Sequence, residues 1–332
     1  MIVYRTLTPA DGPGAVALGS FDGLHLGHQK VISLALARKE RGLAPTVFTF
    51  AENPKARSRG FGGLLLTENE KIRLLEDMGV ERLYLLDFDA IRDLAPGEFV
   101  PRVLADVCHA KLVCCGFNFT FGRGGTADGE ALRRLSAPLG VETAVAGAVL
   151  AGGEPVSSTR IRGLLEAGEA GEAARLLGRP FGYESPVEAG RKLGRKLGTP
   201  TLNQAVPAEL VLPKFGVYVS AVSFGGTIYA GVTNVGVKPT VGSDAVLAET
   251  WMPEYSGPDL YGRAVRTDLL RFLRPEEKFG SLEELRAAIL RDGGDARRYF
   301  RGHPLPASGR GGPDFSAPEA PGYLQNGNRV IY

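Results

Sequence analysis

Between residues 15 and 177, short apolar runs alternate with stretches of helical periodicity, and few folds accommodate that alternation. The runs lie at 15–19, 46–50, 82–87, 111–116 and 141–146; the helical stretches include 29–41, 68–78, 97–107, 159–167 and 171–177. A strand buried on both faces reads as a continuous apolar run, and strands separated by helices pair in parallel through right-handed crossovers. The pattern predicts an α/β domain built on a doubly wound parallel sheet.

Residues 178–186 hold two prolines and two glycines, which mark a boundary. Beyond it the character changes. Segments 217–224 and 227–233 are rich in β-branched and aromatic residues and flank Gly225-Gly226, a hairpin signal. Segments 246–252 and 265–272 read as further strands. A helix opens after Ser281, with Glu284 three residues later, and carries Leu282, Leu285, Ile289 and Leu290 on one face. This half is expected to form a small antiparallel β-barrel with a packed helix. The expected division is residues 1–184, residues 185–300, and a Gly- and Pro-rich tail, 301–332, without a core of its own.

Charge and cysteine content narrow the function classes. The chain has 332 residues, enough for two domains, with 39 basic and 37 acidic side chains. That balance argues against a dedicated nucleic-acid or membrane-surface binder. No apolar stretch approaches transmembrane length, and residues 1–14 do not read as a secretory signal. Cys108, Cys114 and Cys115 form no disulfide framework, so a reducing cytoplasm is the expected home. No Cys/His spacing resembles a zinc site. A homo-oligomer is compatible with these features.

Two constellations carry chemistry. The first is Gly19-Ser-Phe-Asp-Gly-Leu-His-Leu-Gly-His28, placed between the first long strand and the first helix. Glycines allow a sharp turn and close backbone approach. A helix N-terminus offers amide donors and positive potential to a phosphate. His25 and His28, three apart, can project to one side of it. Val156-Ser-Ser-Thr-Arg-Ile-Arg162 opens a later helix; Ser157, Ser158 and Thr159 offer donors, and Arg162 can neutralise a phosphate. No GxGxxG opens the first helix, which disfavours a Rossmann dehydrogenase. The second constellation is Gly190-Arg-Lys-Leu-Gly-Arg-Lys-Leu-Gly-Thr-Pro-Thr-Leu-Asn203. Basic and glycine residues before an oxygen-donor pair suit a nucleotide phosphate with Mg²⁺, and Thr201 and Asn203, two apart, share one side of an extended segment.

HxGH together with SSTRIR resembles the nucleotidylyltransferase superfamily. The longer strings GSFDGLHLGH, GFNFTFG, VSSTRIR and LLGRPF closely resemble bifunctional prokaryotic FAD synthetases, the riboflavin kinase/FMN adenylyltransferase family, over residues 14–296. The resemblance implies two reactions: riboflavin to FMN in the barrel, and transfer of AMP from ATP to FMN in the α/β domain, giving FAD and pyrophosphate. It implies that Gly19, Phe21, Asp22, His25, Gly27 and His28, with Ser157, Ser158, Thr159 and Arg162, hold ATP phosphates. It implies flavin contacts for Asn118 and Phe121. In the barrel it implies phosphate contacts for Gly194 and Lys196, Mg²⁺ contacts for Thr201 and Asn203, and a catalytic Glu249. Glu249 would take the proton of the riboflavin hydroxyl as it attacks, an effect worth typically 10²–10⁴-fold. FMN's phosphate, already anionic, needs alignment and charge stabilisation instead.

The chain departs from the family's pattern at Glu52 and Asn53 after the second strand, at Pro155 before the serine pair, and at Thr199 and Leu202 around the barrel motif. A nucleotidylyltransferase for another phosphate acceptor with a non-catalytic barrel, and a flavin-binding protein without turnover, are the alternatives. Riboflavin, FMN and ATP are the expected partners, with no nucleic acid and no membrane.

Overall fold

The computed structural model describes residues 1–54, 56, 60–190, 194, 197–237 and 246–303. Lys196 and residues 304–332 of the tail therefore lie outside the described residues. The chain divides into two compact units: Met1–Leu64 with Glu68–Ser158, and Leu65–Thr67 with Thr159–Tyr332.

The first unit is built on a six-stranded parallel sheet. Its strands are β1 (Ile2–Tyr4), β2 (Gly14–Leu18), β3 (Ala44–Phe50), β4 (Arg82–Leu86), β5 (Ala110–Gly116) and, after two short strands, β8 (Glu142–Ala146). The order across the sheet is β1-β4-β3-β2-β5-β8. All five runs expected from the sequence are strands. The short β6 (Thr120–Phe121) and β7 (Ala127–Asp128) pair with each other, as do β9 (Leu150–Ala151) and β10 (Glu154–Pro155). Strands β2 and β4 are buried almost throughout, as the absence of alternation implies.

Helices α1 (Leu26–Leu36), α2 (Glu68–Asp77), the short α3 (Pro96–Phe99) and α4 (Gly129–Ser136) connect these strands. The continuous helix expected over 97–107 is instead α3 followed by a π-helical stretch, Val100–Ala105, which contains Pro101; proline has no N–H to continue the regular ladder. One face of the sheet packs Val16, Phe48, Tyr84 and Val113 against Phe99, Val103 and Leu104.

Helices α5 (Ser158–Ala167) and α6 (Ala170–Leu177) precede a closed barrel of order β11-β12-β15-β14-β13-β16. The strands are β11 (Phe181–Glu188), β12 (Thr201–Ala205), β13 (Gly216–Phe224), β14 (Thr227–Val237), β15 (Val246–Trp251) and β16 (Ala264–Arg274). All pairs are antiparallel. The proline- and glycine-marked segment is thus not a bare linker: most of it is β11. Gly182 is required there, because a Cβ would run into Asp268 and the Thr267 carbonyl.

The barrel interior holds two closed polar networks. Thr233 Oγ1 lies 2.7 Å from Ser220 Oγ and 2.8 Å from Thr250 Oγ1. Gln204 donates to the Ser185 and Val265 carbonyls and accepts from Thr267. These side chains are fully buried, where unpaired hydroxyls would be costly. Tyr183 and Tyr218 are also fully buried.

Helix α7 (Leu282–Gly302) starts as the sequence predicts, with the Ser281 side chain accepting from the Glu284 amide. Its packed face is a different one. Leu282 and Leu290 are exposed, whereas Ala288, Asp292, Gly293, Ala296 and Phe300 are buried. Asp292 takes a two-point hydrogen bond from Arg274, at 3.1 and 2.7 Å, a geometry that gives strength and direction. Gly293 admits the Trp251 ring: a Cβ there would lie 2.5 Å from Trp251 Cζ3.

Candidate active sites

The strand order of the first sheet reverses between β2 and β5, and ligands of open parallel sheets bind beyond the strand C-termini at such a point. The loop after β2 carries Gly19–His25, and the loop after β5 carries Asn118. The β2 loop is held in an unusual conformation. Phe21 and Leu24 have φ of +47° and +45°, a region that side chains with Cβ seldom adopt. Both are buried, and the surroundings fix the loop from several directions. Thr49 Oγ1 donates to the Ser20 carbonyl at 2.9 Å, Ser158 Oγ to the Asp22 carbonyl at 2.8 Å, and Gln29 Nε2 to the Leu24 carbonyl at 2.8 Å. Strain maintained in this way is a mark of a working site.

His25 caps α1: its Nδ1 accepts from the His28 amide at 3.3 Å. An accepting Nδ1 carries no proton, so the proton of the neutral ring is on Nε2. The His25 and His28 rings stack with centroids 3.6 Å apart at 18°, and Phe21 meets His28 edge-on at 5.3 Å. Gly27 makes room for this stack, because a Cβ there would approach His25 Cε1 to 3.1 Å. His28 Nδ1 is buried without a hydrogen-bond partner among the described residues. Burial above all, then the neighbouring His25 and Lys71, hold the His28 pKa well below its ordinary 6.5, so the ring is neutral.

Asp22 is buried, and Asn53 Nδ2 lies 3.4 Å from its Oδ2. Asn53, one of the departures from the family's pattern, is thus joined to Asp22, while Glu52 is exposed. Ser158 begins α5 beside Asp22. Ser157 is half-buried, Thr159 is exposed and Arg162 is buried; Thr159 and Arg162 are grouped with the second unit. Pro155 is exposed in β10. Asn118 is exposed beyond β5. Phe121 is buried in the core, 5.7 Å from the Phe99 ring and 5.8 Å from that of Phe119. The exposed aromatic at that edge is Phe117.

In the barrel, β15 is flanked by β12 and β14, and the register aligns one row of polar residues across three strands. Asn203 lies opposite Glu249 on one side and Asn234 lies opposite Glu249 on the other. Two-residue periodicity puts Thr201 and Trp251 on the same face, away from the interior threonines. Asn234 Nδ2 donates to Glu276 Oε1 at 3.0 Å, while Asn234 Oδ1 is buried without a partner among the described residues. Gly236 leaves space for the Glu276 carboxylate, and Gly190 for the Asn203 amide.

The carbonyl of Gly194 accepts from the Leu197 and Thr199 amides at 3.1 and 2.8 Å, closing a tight turn before Thr201. Thr199 is buried with its hydroxyl unpartnered among the described residues. Leu202 is buried in an apolar cluster with Val187, Val222 and Val265, on the face opposite Asn203. Asn53, Lys71, Asn234 and Glu276 belong to these constellations without having been singled out for a role by sequence.

An α/β unit with a constrained phosphate-type loop, followed by a barrel presenting a carboxylate between two amides, is the architecture of a two-site phosphotransfer enzyme. Residues 8–160 match the FAD synthetase family and residues 177–300 the riboflavin kinase family. The bifunctional riboflavin kinase/FMN adenylyltransferase of Bacillus subtilis is 32% identical over 314 residues, covering 90% of this chain and 96% of its own. That of Pseudomonas fluorescens is 35% identical over 296 residues, covering 86% and 92%. That of Escherichia coli K12 is 32% identical over 307 residues, covering 89% and 96%. A solved structure described as a macrolide-efflux protein from Streptococcus pneumoniae is similar with a TM-score of 0.81 and 30% identity, over 89% of this chain and 98% of that one.

The chain belongs to the bifunctional riboflavin kinase/FMN adenylyltransferase family: it serves flavin cofactor biosynthesis by phosphorylating riboflavin to FMN and transferring AMP from ATP to FMN. Riboflavin, FMN and ATP are its substrates. No helix among the described residues is long and apolar enough to cross a membrane.

Proposed function

We propose that each reaction uses the residues of one constellation. In the barrel, the terminal ribityl hydroxyl of riboflavin attacks the γ-phosphorus of ATP. Glu249 accepts its proton as the new P–O bond forms and ADP leaves. The support is the Asn203–Glu249–Asn234 row, which sets a half-buried carboxylate between two amides. Thr201 and Asn203, with the Gly194 turn and Lys196, hold the nucleotide phosphates and a Mg²⁺ ion. A neutral, oxygen-only donor pair that leaves ligand positions to phosphate and water suits Mg²⁺, and bound there the ion would neutralise charge on the phosphates.

In the α/β unit, an FMN phosphate oxygen attacks the α-phosphorus of ATP, and pyrophosphate leaves with the electrons of the broken P–O bond. No proton must be removed first. His25 and His28, neutral and stacked, donate from Nε2 to phosphate oxygens. An orphaned buried Nδ1 on His28 is better tolerated as a lone pair than as an N–H. Gly19, Phe21, Asp22 and Gly27 shape the loop. Ser157, Ser158, Thr159 and Arg162 hold the triphosphate, and Asn118 and Phe121 belong to the flavin end of this site. Phe121 acts there from within the core.

The working division is residues 1–184 for adenylyl transfer, 185–300 for the kinase and 301–332 as a tail. Three buried free cysteines support a reducing, cytoplasmic setting, and the even balance of 39 basic and 37 acidic residues supports an enzyme without nucleic-acid or membrane partners; assembly as a homo-oligomer is compatible with this reading. Incubation with riboflavin, ATP and Mg²⁺, with FMN and FAD separated over time, tests it. FMN should appear first and FAD after it, and both should stop on chelation of Mg²⁺. FAD formation without FMN, or turnover of neither compound, would overturn it.

A further inference from the structure

Lys71 is the only buried lysine among the described residues. It projects from the first turn of α2, and its Nζ lies 3.3 Å from the Ser20 carbonyl and 3.3 Å from the Phe50 carbonyl. Ser20 opens the loop that leads to Asp22 and His25. Phe50 ends β3, and the loop after it carries Asn53. Strands β2 and β3 are parallel neighbours, with Leu18 opposite Phe48, so one ammonium group clamps both exits of the sheet at the ligand edge. The same two loops are joined again by Asn53 and Asp22.

A desolvated ammonium group is expensive, and an apolar side chain of similar volume would fill the same space more cheaply. Its retention needs a reason other than packing. The groups whose charges bear on Lys71 are Asp22 and Glu68, which favour its charged form against burial. Lys71 in turn bears on His28.

We propose that Lys71 is a positioning residue for adenylyl transfer, fixing the separation of the Asp22–His25 loop from the Asn53 loop so that the histidines meet the ATP phosphates in register. The proposal rests on the assignment of adenylyl transfer to this site. A misplacement of about 1 Å in such a site costs on the order of 10²-fold. Lys71 also adds, after burial and His25, to what holds His28 in its neutral form.

The test is steady-state kinetics of the full chain carrying Lys71→Met or Lys71→Arg, with ATP varied against FMN and, separately, against riboflavin. His28→Ala serves as the site control. For Lys71→Met we expect the ATP KM of adenylyl transfer to rise at least about fivefold and kcat to fall about tenfold. The FMN KM and both kinase constants should stay within about twofold, and Lys71→Arg, which keeps charge and donors, should restore the ATP KM to within about threefold. Mere loss of folded protein lowers kcat and leaves KM in place. An unchanged ATP KM in Lys71→Met therefore overturns the proposal whatever the rate. If Lys71→Met cannot be obtained folded, Lys71→Gln takes its place under the same criteria: an ATP KM raised at least about fivefold upholds the clamp, and an unchanged one overturns it. Should His28→Ala leave FAD formation intact, it is the site assignment that fails. If His28→Ala abolishes it and Lys71→Met changes nothing, only the clamp fails.

Discussion

The two phosphate-handling regions are built from opposite materials. In the α/β unit the groups proposed to handle phosphate sit on loops beyond strand ends, in a strained backbone tied down by side-chain hydrogen bonds. They include two stacked imidazoles, and a buried ammonium on α2 holds their loops. In the barrel they sit on the strands themselves, at pairing positions fixed by the ladder, and they are a carboxylate and amides. The difference follows the chemistry. A phosphate nucleophile arrives ionised and needs only alignment and donors, whereas a hydroxyl must surrender a proton and needs a placed base.

Four substitutions and a titration can break or sharpen that contrast. Glu249→Ala removes the base: riboflavin phosphorylation should fall by about 10²–10⁴-fold, while FAD formation from supplied FMN stays within about twofold. Comparable losses in both assays would erase the contrast. His28→Ala removes a donor: FAD formation from FMN should fall by about 10²–10³-fold, with FMN formation from riboflavin untouched. Next comes Gly293→Ala, which drives a methyl into the Trp251 ring and should destabilise the barrel by about 1–3 kcal/mol. Trp251 is the sole tryptophan, so its fluorescence reports that unfolding. Gly294→Ala, one position on and facing open space, should instead stabilise by up to about 1 kcal/mol through helix propensity.

The titration effect is the smallest. His28 has a folded-state pKa below its unfolded value, so the unfolded chain binds more protons at acid pH. The α/β unit should therefore lose stability as pH falls below the ordinary histidine value of 6.5. His28→Gln should flatten that dependence in melting curves followed by circular dichroism.

How much was legible beforehand depends on where each feature's physics resides. The five long strands of the first sheet were readable because burial on both faces leaves an unbroken apolar run. Strand β1, three residues long, exists only because β4 offers it a partner. Strand β12, Thr-Leu-Asn-Gln-Ala, is polar on both faces: Asn203 lies opposite Glu249 and Gln204 joins an interior network, so it carries no clear apolar signal. Strand β11 hid behind Pro186 and Gly182. Helix α7 misled through its leucines. Its packing rests on small residues and on the Arg274–Asp292 pair, which follow from tertiary contact rather than hydrophobicity.

The sites divide in the same way. His25, His28 and Glu249 are candidates that residue type and motif single out. Lys71 and Asn53 reach Ser20, Phe50 and Asp22 from segments distant in sequence, and local spacing holds no trace of that. Leu202 looked like a disturbance of the ligand segment, yet its side chain is on the opposite face from Asn203.

The central proposal is that the two reactions use two separate sites and that FMN made at one reaches the other through solution. Mixing equal amounts of the Glu249→Ala and His28→Ala proteins with riboflavin, ATP and Mg²⁺ tests it most directly. Neither protein alone should make FAD from riboflavin, and the mixture should make it after a lag while FMN accumulates. FAD from either protein alone, or none from the mixture, would contradict the claim.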